Sequence, residues 1–348
     1  MQKVNVNLPT NGYDIIIQSG LLASAGEYIN SKGGKVFVVS DSNVSVLYGD
    51  TLIASLTSQG YRCKLYVVKA GESSKNISSI MPMYSAMIEF GLTRSDLVVA
   101  LGGGVVGDLT GFVASTYLRG VDFVQIPTSL LAQVDSSVGG KVAVDLMEGK
   151  NLVGSFYQPK VVLIDTQLLS TLPDKFYVDG MAEIIKYGCI LDCELFDTLA
   201  EIKSREEFME QAEEIIARCC AIKAGVVSRD ERDNGERMLL NFGHTYGHAL
   251  EKYYDFSTLT HGQAVAIGMS HITAISEAKG LTKQGTREKI DRVLVNYGLS
   301  TTDVADPSQV VSYIANDKKN LGKDLVVVIL QEIGKAVLYR TNKEFFEV

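Results

Sequence analysis

The sequence predicts an α/β domain built on a doubly wound parallel sheet over residues 1–173, followed by a mainly α-helical domain over residues 174–348. Three observations carry this. Short Val/Ile-rich runs on consecutive positions recur through the first half, as in strands covered on both faces. Helix-like stretches lie between them, which is the βαβ alternation of a parallel sheet. After Leu172-Pro173 the texture changes to one amphipathic helix after another.

The elements follow in order. The opening MQKVNVNLPTNGYDIIIQSG reads as an early strand pair; it has no apolar h-region and so does not read as a secretion signal. Residues 36–40 (VFVVS), 61–68, 97–101 (LVVAL), 123–126 and 161–164 are the strand candidates, with helices between them at 44–58 and 77–90. The boundary falls near residues 171–174. Helices are then expected at 179–190, 205–227, 245–254, 264–278 and 286–297, with Gly280 and Gly298 where C-caps belong. Residues 325–330 and 336–339, separated by a glycine, suggest a late hairpin.

Composition bounds the function. With 348 residues, 46% hydrophobic and 21% charged, the chain can bury the cores of two domains, and wholesale disorder is excluded. A net charge of −8 argues against a nucleic-acid or anionic-membrane surface. Local clusters of Lys and Arg are then expected to serve a small anionic ligand. No apolar run approaches the ~18 residues of a membrane span. The five cysteines are odd in number and lack zinc-knuckle spacing, so all five read as small apolar residues of a reducing cytoplasm.

LVVALGGGVVGD holds Gly102, Gly104 and Gly107 at G-x-G-x-x-G spacing, after a strand and before a helix. Such a loop lets backbone approach a pyrophosphate at a helix N-terminus, although a bare tight turn has the same spacing. It follows a late strand, and no acidic residue ends a strand about twenty positions on. Asp41 instead closes an earlier strand, in VVSDSNV, where it could reach a ribose hydroxyl. GESSK, with Glu72 and Lys75, follows another strand end. Together these favour a dinucleotide over a bare turn.

All four histidines, His244, His248, His261 and His271, fall in one short window. His244 and His248 are four apart and share a helix face, while His261 opens an apolar segment at an expected helix start. Glu183, in DGMAEIIKYG, stands in an otherwise apolar helix with Lys186 three residues on. A carboxylate there is costly unless paired, protonated or bound to a metal. Two histidines and one carboxylate suit a catalytic divalent ion; core histidines bonded to carbonyls are an equally good reading of the residues alone. Lys141 and Lys150, beside Gly and Asn, and Lys186 are poor candidates for mere solvation. A phosphorylated carboxylate needs several such cations. The residues alone point to a metal-assisted redox enzyme acting on a small anionic hydroxy compound.

GGGVVGDLTGFVASTYLRGVDFVQIPTSLLAQVDSSVGGK, GMAEIIKYG, LNFGHTYGHALE and HGQAVAIGM together resemble the 3-dehydroquinate synthase family, within the sugar phosphate cyclases. The likeness runs from about Asp41 to Gly334. Val142 stands where the family often has Thr, and Gln263 where Glu is common. The resemblance implies a Rossmann-like α/β amino-terminal domain and a mainly α-helical carboxyl-terminal domain, with NAD and Zn²⁺ (Co²⁺ as the alternative ion) in the cleft between. It implies a cytoplasmic homodimer of the shikimate pathway. The sugar phosphate substrate, 3-deoxy-D-arabino-heptulosonate 7-phosphate, becomes 3-dehydroquinate and phosphate. The steps are transient oxidation, β-elimination, reduction, ring opening and aldol closure.

The metal ligands the resemblance implies are Glu183, His244 and His261. The NAD contacts it implies are Asp41, Asn43, Glu72, Ser73, Lys75, Gly103, Gly104, Val105, Val106, Gly107, Asp108, Thr128 and Ser129, with Leu168, Leu169, Ser170 and Thr171 on the same side. Lys141 and Lys150 serve both cofactor and substrate. The catalytic and substrate-facing set adds Asp135, Asn151, Lys186, Lys223, Arg237, Asn241, His248 and Lys318 or Lys319. Arg119, in YLRG, resembles the residue this family lends across a dimer interface. Enzymes of the glycerol-dehydrogenase type share the layout, but take their carboxylate ligand as Asp and lack this lysine set.

Overall fold

The computed structural model describes residues 1–319 and 325–346, and of residues 315–319 and 343 the backbone alone. Two compact units divide the chain. One comprises Met1–Pro173 with Gln211–Arg232, the other Asp174–Glu210 with Asp233–Val348.

The first unit opens with β1 (Gln2–Val6) and β2 (Tyr13–Ile17). The alternation then runs β3 (Lys35–Asp41), α1 (Asp50–Ser58), β4 (Arg62–Val68), α2 (Ile77–Glu89), β5 (Leu97–Gly102), α3 (Gly104–Thr116) and β6 (Phe123–Pro127). A hairpin of β7 (Lys141–Leu146) and β8 (Gly149–Phe156) precedes β9 (Val161–Ile164). Seven strands form one sheet in the order β1-β2-β9-β6-β5-β3-β4. Only β1 and β2 pair antiparallel in it.

Consecutive apolar residues in these strands serve opposite faces. Phe37 and Val39 of β3 pack with Met83 and Met87 of α2 and Leu109 and Val113 of α3. Val36 and Val38 turn the other way, onto Leu52 and Leu56 of α1 and onto Leu21 and Leu22. Each such side chain taken from water contributes about 1.5–3 kcal/mol, and the arrangement makes the sheet doubly wound. The strand order reverses between β3 and β5, because the chain leaves β3 toward β4 and returns to the other side. Ligands of open α/β sheets bind at such a switch point, outside the carboxyl ends of the strands. Asp41 ends β3 and Gly102 ends β5, so the crevice opens between the acidic residue and the glycine loop. That accounts for the loop's late place in sequence: adjacency in the sheet, not chain order, joins it to Asp41.

The second unit holds α4 (Asp174–Leu191), α5 (Cys193–Glu201), the first residues of α6 (Arg205–Arg229), α7 (His244–Tyr253), α8 (His261–Ala278), α9 (Thr286–Asn296) and α10 (Pro307–Lys319). It ends in a hairpin of β10 (Leu325–Glu332) and β11 (Lys335–Thr341). The later residues of α6 count with the first unit, so the chain crosses back after the boundary expected near 171–174. Gly280 and Gly298, at φ of 67° and 77°, take the left-handed conformation expected after α8 and α9. Against Gly268 of α8, α7 comes so close that a Cβ would stand 2.0 Å from the Gly243 carbonyl oxygen. The two helices that carry the histidines are thus held backbone to backbone.

Some elements differ from expectation. The helix expected from residue 44 is regular only from Asp50, after a wide π turn at Ser45–Gly49. The cysteines are not all core residues: Cys189, Cys219 and Cys220 are buried, Cys63 is half-buried and Cys193 exposed. Among the described residues no helix is long and apolar enough to cross a membrane.

Candidate active site

In the first unit the residues expected to hold a dinucleotide gather at the carboxyl end of the sheet. Asp41 Oδ1 accepts from the amides of Asn43 and Val44, at 2.8 and 3.1 Å, which fixes its carboxylate beside the glycine loop. The first helical bond of α3 runs from Gly107 N to Gly103 O. The amides of Gly104, Val105 and Val106 therefore have no partner within the helix, as at any helix start. Gly107 itself sits down on β6, where a Cβ would meet Gln125 Oε1 at 2.8 Å. Thr128 and Ser129 follow β6, and the turn Thr166–Thr171, with Leu168, Leu169, Ser170 and Thr171, follows β9. Tyr48 donates to the Leu168 carbonyl at 3.2 Å and pairs with the Thr171 hydroxyl.

Glu72, Ser73 and Lys75 lie beyond β4. Lys75 is 6% exposed and links three segments. Its Nζ is 2.5 Å from Asp108 on α3 and donates at 2.6 Å to Asn151 on β8, while Glu72 meets Lys150 at 3.9 Å. Burial works against the Lys75 cation, but the nearby carboxylates of Asp108, Glu72 and Asp145 outweigh it and raise its pKa. Asp108 is pushed up to about 6 by burial, against the pull of Lys75. Asn151, at φ 58°, is held from behind by Asp145, whose Oδ1 accepts its amide at 2.8 Å. Lys223 of α6 pairs with Asp135, through the carbonyl at 2.6 Å and Oδ1 at 2.8 Å. Lys141 is exposed at the start of β7.

In the second unit Glu183 of α4 is 0% exposed and Lys186, one turn on, is 1% exposed. The two are ion-paired. Glu183 Oε1 lies 3.5 Å from His244 Nε2 and 3.4 Å from His261 Nε2. Ligand atoms of all three residues fall within 4.8 Å of one another. His248 stands one turn along α7, its ring 5.3 Å from that of His244. Each candidate ligand histidine has an acceptor behind it. His244 Nδ1 is 3.1 Å from the Phe242 carbonyl, and His261 Nδ1 is 3.6 Å from Glu251 Oε1. With an acceptor facing each Nδ1, Nε2 is the nitrogen of each ring left to ligate an ion. One carboxylate and two such imidazoles are the donor set of a catalytic divalent ion, so the residues fit one. Burial and the neighbouring Lys186 cation hold His244 well below the usual imidazole range. Burial would lower His261 as well, but Glu183 and Glu251 on either side push it up to about 10.

The start of α8 is built to place His261. Thr260 caps the helix and Gln263 reaches back to the Thr260 amide at 3.0 Å. Asp179 of α4 accepts from Gly262 N at 2.5 Å. A T-x-x-Q pattern was the readable signal for this box, and it gives Gln263 a local role where the family commonly has Glu.

Other residues stand apart. His271 lies further along α8 with its ring stacked 3.9 Å from Tyr246, away from the other three. Arg237 is buried and Asn241 exposed on the turn Glu236–Asn241, just before α7. Arg119 is exposed at φ 67°, at the far end of α3, about 20 Å of helix from the glycine loop. The side chains of Lys318 and Lys319 lie outside the described residues. Glu251, buried on α7, was not anticipated; its i+3 spacing from His248 was the available signal.

The family profile described as 3-dehydroquinate synthase N-terminal matches residues 65–179, and that described as 3-dehydroquinate synthase C-terminal matches residues 180–320. A 3-dehydroquinate synthase of Clostridium beijerinckii is 55% identical, covering 99% of this chain and 100% of its own. One of Streptococcus suis is 44% identical over 98% of each chain. Among solved structures, 2-deoxy-scyllo-inosose synthase complexed with carbaglucose-6-phosphate, NAD⁺ and Co²⁺ aligns with a TM-score of 0.87 at 26% identity, over 99% and 98% of the two chains. The 2-epi-5-epi-valiolone synthase of Streptomyces hygroscopicus, with NAD⁺ and Zn²⁺ bound, aligns at 0.88 and 28%, over 98% and 96%. From the switch-point loop, the buried carboxylate with its two histidines and these matches together, the chain belongs to the 3-dehydroquinate synthase family.

Proposed function

We propose that the protein is a carbon–oxygen lyase that converts 3-deoxy-D-arabino-heptulosonate 7-phosphate to 3-dehydroquinate and phosphate, in the shikimate pathway. The observation that carries this reading is the meeting of Glu183, His244 and His261, whose ligand atoms lie within 4.8 Å of one another. It is supported by full-length relatives named for the same product. Glu183, His244 and His261 would hold Zn²⁺ or Co²⁺, and Asp41, the loop 103–108, Lys75, Thr128 and Ser129 would hold NAD. When bound, NAD⁺ accepts and later returns one hydride, and the divalent ion polarises the oxygen at the reacting carbon.

The chain's own residues do the rest. Lys186 Nζ holds a proton beside Glu183 and supplies positive charge where an oxyanion develops. His248, exposed on the same face of α7 as His244, is placed to move a proton. Lys141, Lys150, Lys223 and Arg237 supply cations for the phosphate and carboxylate of the substrate, and Asn151 and Asn241 orient its hydroxyls. Lys75 binds Asp108 and Asn151 at once, so the cofactor and substrate parts of the first unit form one polar network. We assign the protein to the cytoplasm as a homodimer, with Arg119 of each copy serving the other.

One assay tests the whole reading. Purified protein with NAD⁺, Zn²⁺ and the heptulosonate phosphate releases one phosphate per substrate consumed, with no NADH accumulating. Accumulating NADH would mark a dehydrogenase instead. Failure to release phosphate would move the substrate to another sugar phosphate.

A further inference from the structure

We propose that Glu251 is a positioning residue of the metal site, aiming His261 at the ion and tying His248 to the same centre. The inference rests on the reading of Glu183, His244 and His261 as metal ligands. Glu251 is 7% exposed on α7, and one oxygen lies 3.6 Å from His261 Nδ1 while the other lies 3.9 Å from His248 Nε2. A carboxylate is costly to bury, and here each of its two oxygens faces an imidazole nitrogen.

The two ligand histidines solve one problem in different ways. A ring that ligates through Nε2 must keep its proton on Nδ1 and must not rotate. For His244 the acceptor is main chain, the Phe242 carbonyl at 3.1 Å. For His261 the backbone is already pinned, by the Thr260–Gln263 box and by Asp179 on Gly262 N. What remains free is rotation of the ring, and Glu251 faces the nitrogen that controls it. Helix α7 thus carries one ligand, the proton-handling His248, and the carboxylate that orients the ligand from α8. His248, Glu251 and His261 also bring ligand atoms within 4.8 Å of one another, so the rival assignment is Glu251 as a ligand in its own right.

The test uses full-length Glu251→Leu and Glu251→Gln. Zinc affinity is read by competition with a chromophoric chelator, and coordination by the visible absorption of the Co²⁺-loaded protein. Loss of a residue orienting a ligand weakens metal binding about 10–100-fold, expected for Glu251→Leu. Glu251→Gln falls between, because an amide oxygen still accepts from His261 while its NH₂ cannot accept from His248. Both variants keep one ion per chain and the wild-type Co²⁺ bands, since the three ligands are unchanged. Affinity within twofold of wild type in both variants overturns the proposal. So does a changed Co²⁺ spectrum, which would make Glu251 a ligand. Should Glu251→Leu not fold, Glu251→Gln decides, with at least threefold weaker binding expected and unchanged binding fatal. Wild-type protein that binds no zinc sinks the metal reading itself, an outcome distinct from variants that bind as wild type does.

Discussion

Glu183 and Lys186 are both withdrawn from water, and an ion pair in such a place gains from its geometry only while both partners remain. In Glu183→Gln the amide oxygen still accepts from the ammonium, so the fold is kept, but a neutral amide is a poor substitute for the carboxylate as a ligand of Zn²⁺. Zinc content measured after gel filtration is expected to fall from one per chain to near zero, and turnover with it. Full zinc with full activity would remove Glu183 from the ligand set. In Lys186→Ala the donors to the ion remain. Metal content is then expected to stay at one per chain while kcat falls by about 10²–10⁴, the range for a group that handles a proton or stabilises charge in the transition state. An unchanged kcat would reduce Lys186 to a structural partner of Glu183. The sequence exposed both residues as a charged pair in an apolar helix. It could not say that His244 and His261, some sixty and eighty residues on, lie 3.4–3.5 Å from one carboxylate oxygen.

At the scale of elements, the histidine site is a consequence of how closely α7 and α8 pack. Gly268→Ala places a Cβ against the Gly243 carbonyl, one residue before His244, and backbone cannot yield there without moving the ligand. The expected outcome is a loss of about 1–3 kcal/mol in stability, typical of forced overpacking, together with at least tenfold weaker zinc binding. Stability that falls while zinc affinity holds would show that the helix contact does not set the ligand geometry. Legibility also divides by element. Strands β3, β5 and β9 could be read because both their faces are buried and their apolar runs are unbroken, and β6 because Gln125 alone interrupts its run. The β7–β8 hairpin could not. Its residues from Lys141 to Phe156 mix glycine, charge and half-exposed positions, and its strands pair with each other outside the main sheet. Yet it carries Lys141, Lys150 and Asn151, whose polarity is part of what hid the element.

For the molecule as a whole, the order of strands lies beyond any local pattern. The glycine loop and Asp41 are some sixty residues apart, and only the reversal between β3 and β5 makes them neighbours. Stability against pH is likewise a property of the entire fold, and His271 gives it a testable term. Its Nε2 is buried with no hydrogen-bond partner among the described residues, its ring stacks on Tyr246, and burial with the nearby Arg287 lowers its pKa to about 4. The unfolded chain binds that proton from about pH 6.5 downward, whereas the folded chain does not until about pH 4. Between those values the unfolded state holds more protons, so this stability is intact above pH 6.5 and is lost as the pH falls. His271→Phe keeps the stack and removes the titration. The difference in unfolding free energy between wild type and variant, followed by urea titration, is expected to shift in favour of the variant by up to about 2 kcal/mol between pH 7.5 and pH 5. Taking the difference cancels every other titrating group, including Asp108, whose raised pKa gives a slope of the opposite sign over the same range. A difference that stays level across that interval would mean that His271 finds a proton acceptor in the folded protein, and that its buried nitrogen is not an acid-sensitive point of the second unit.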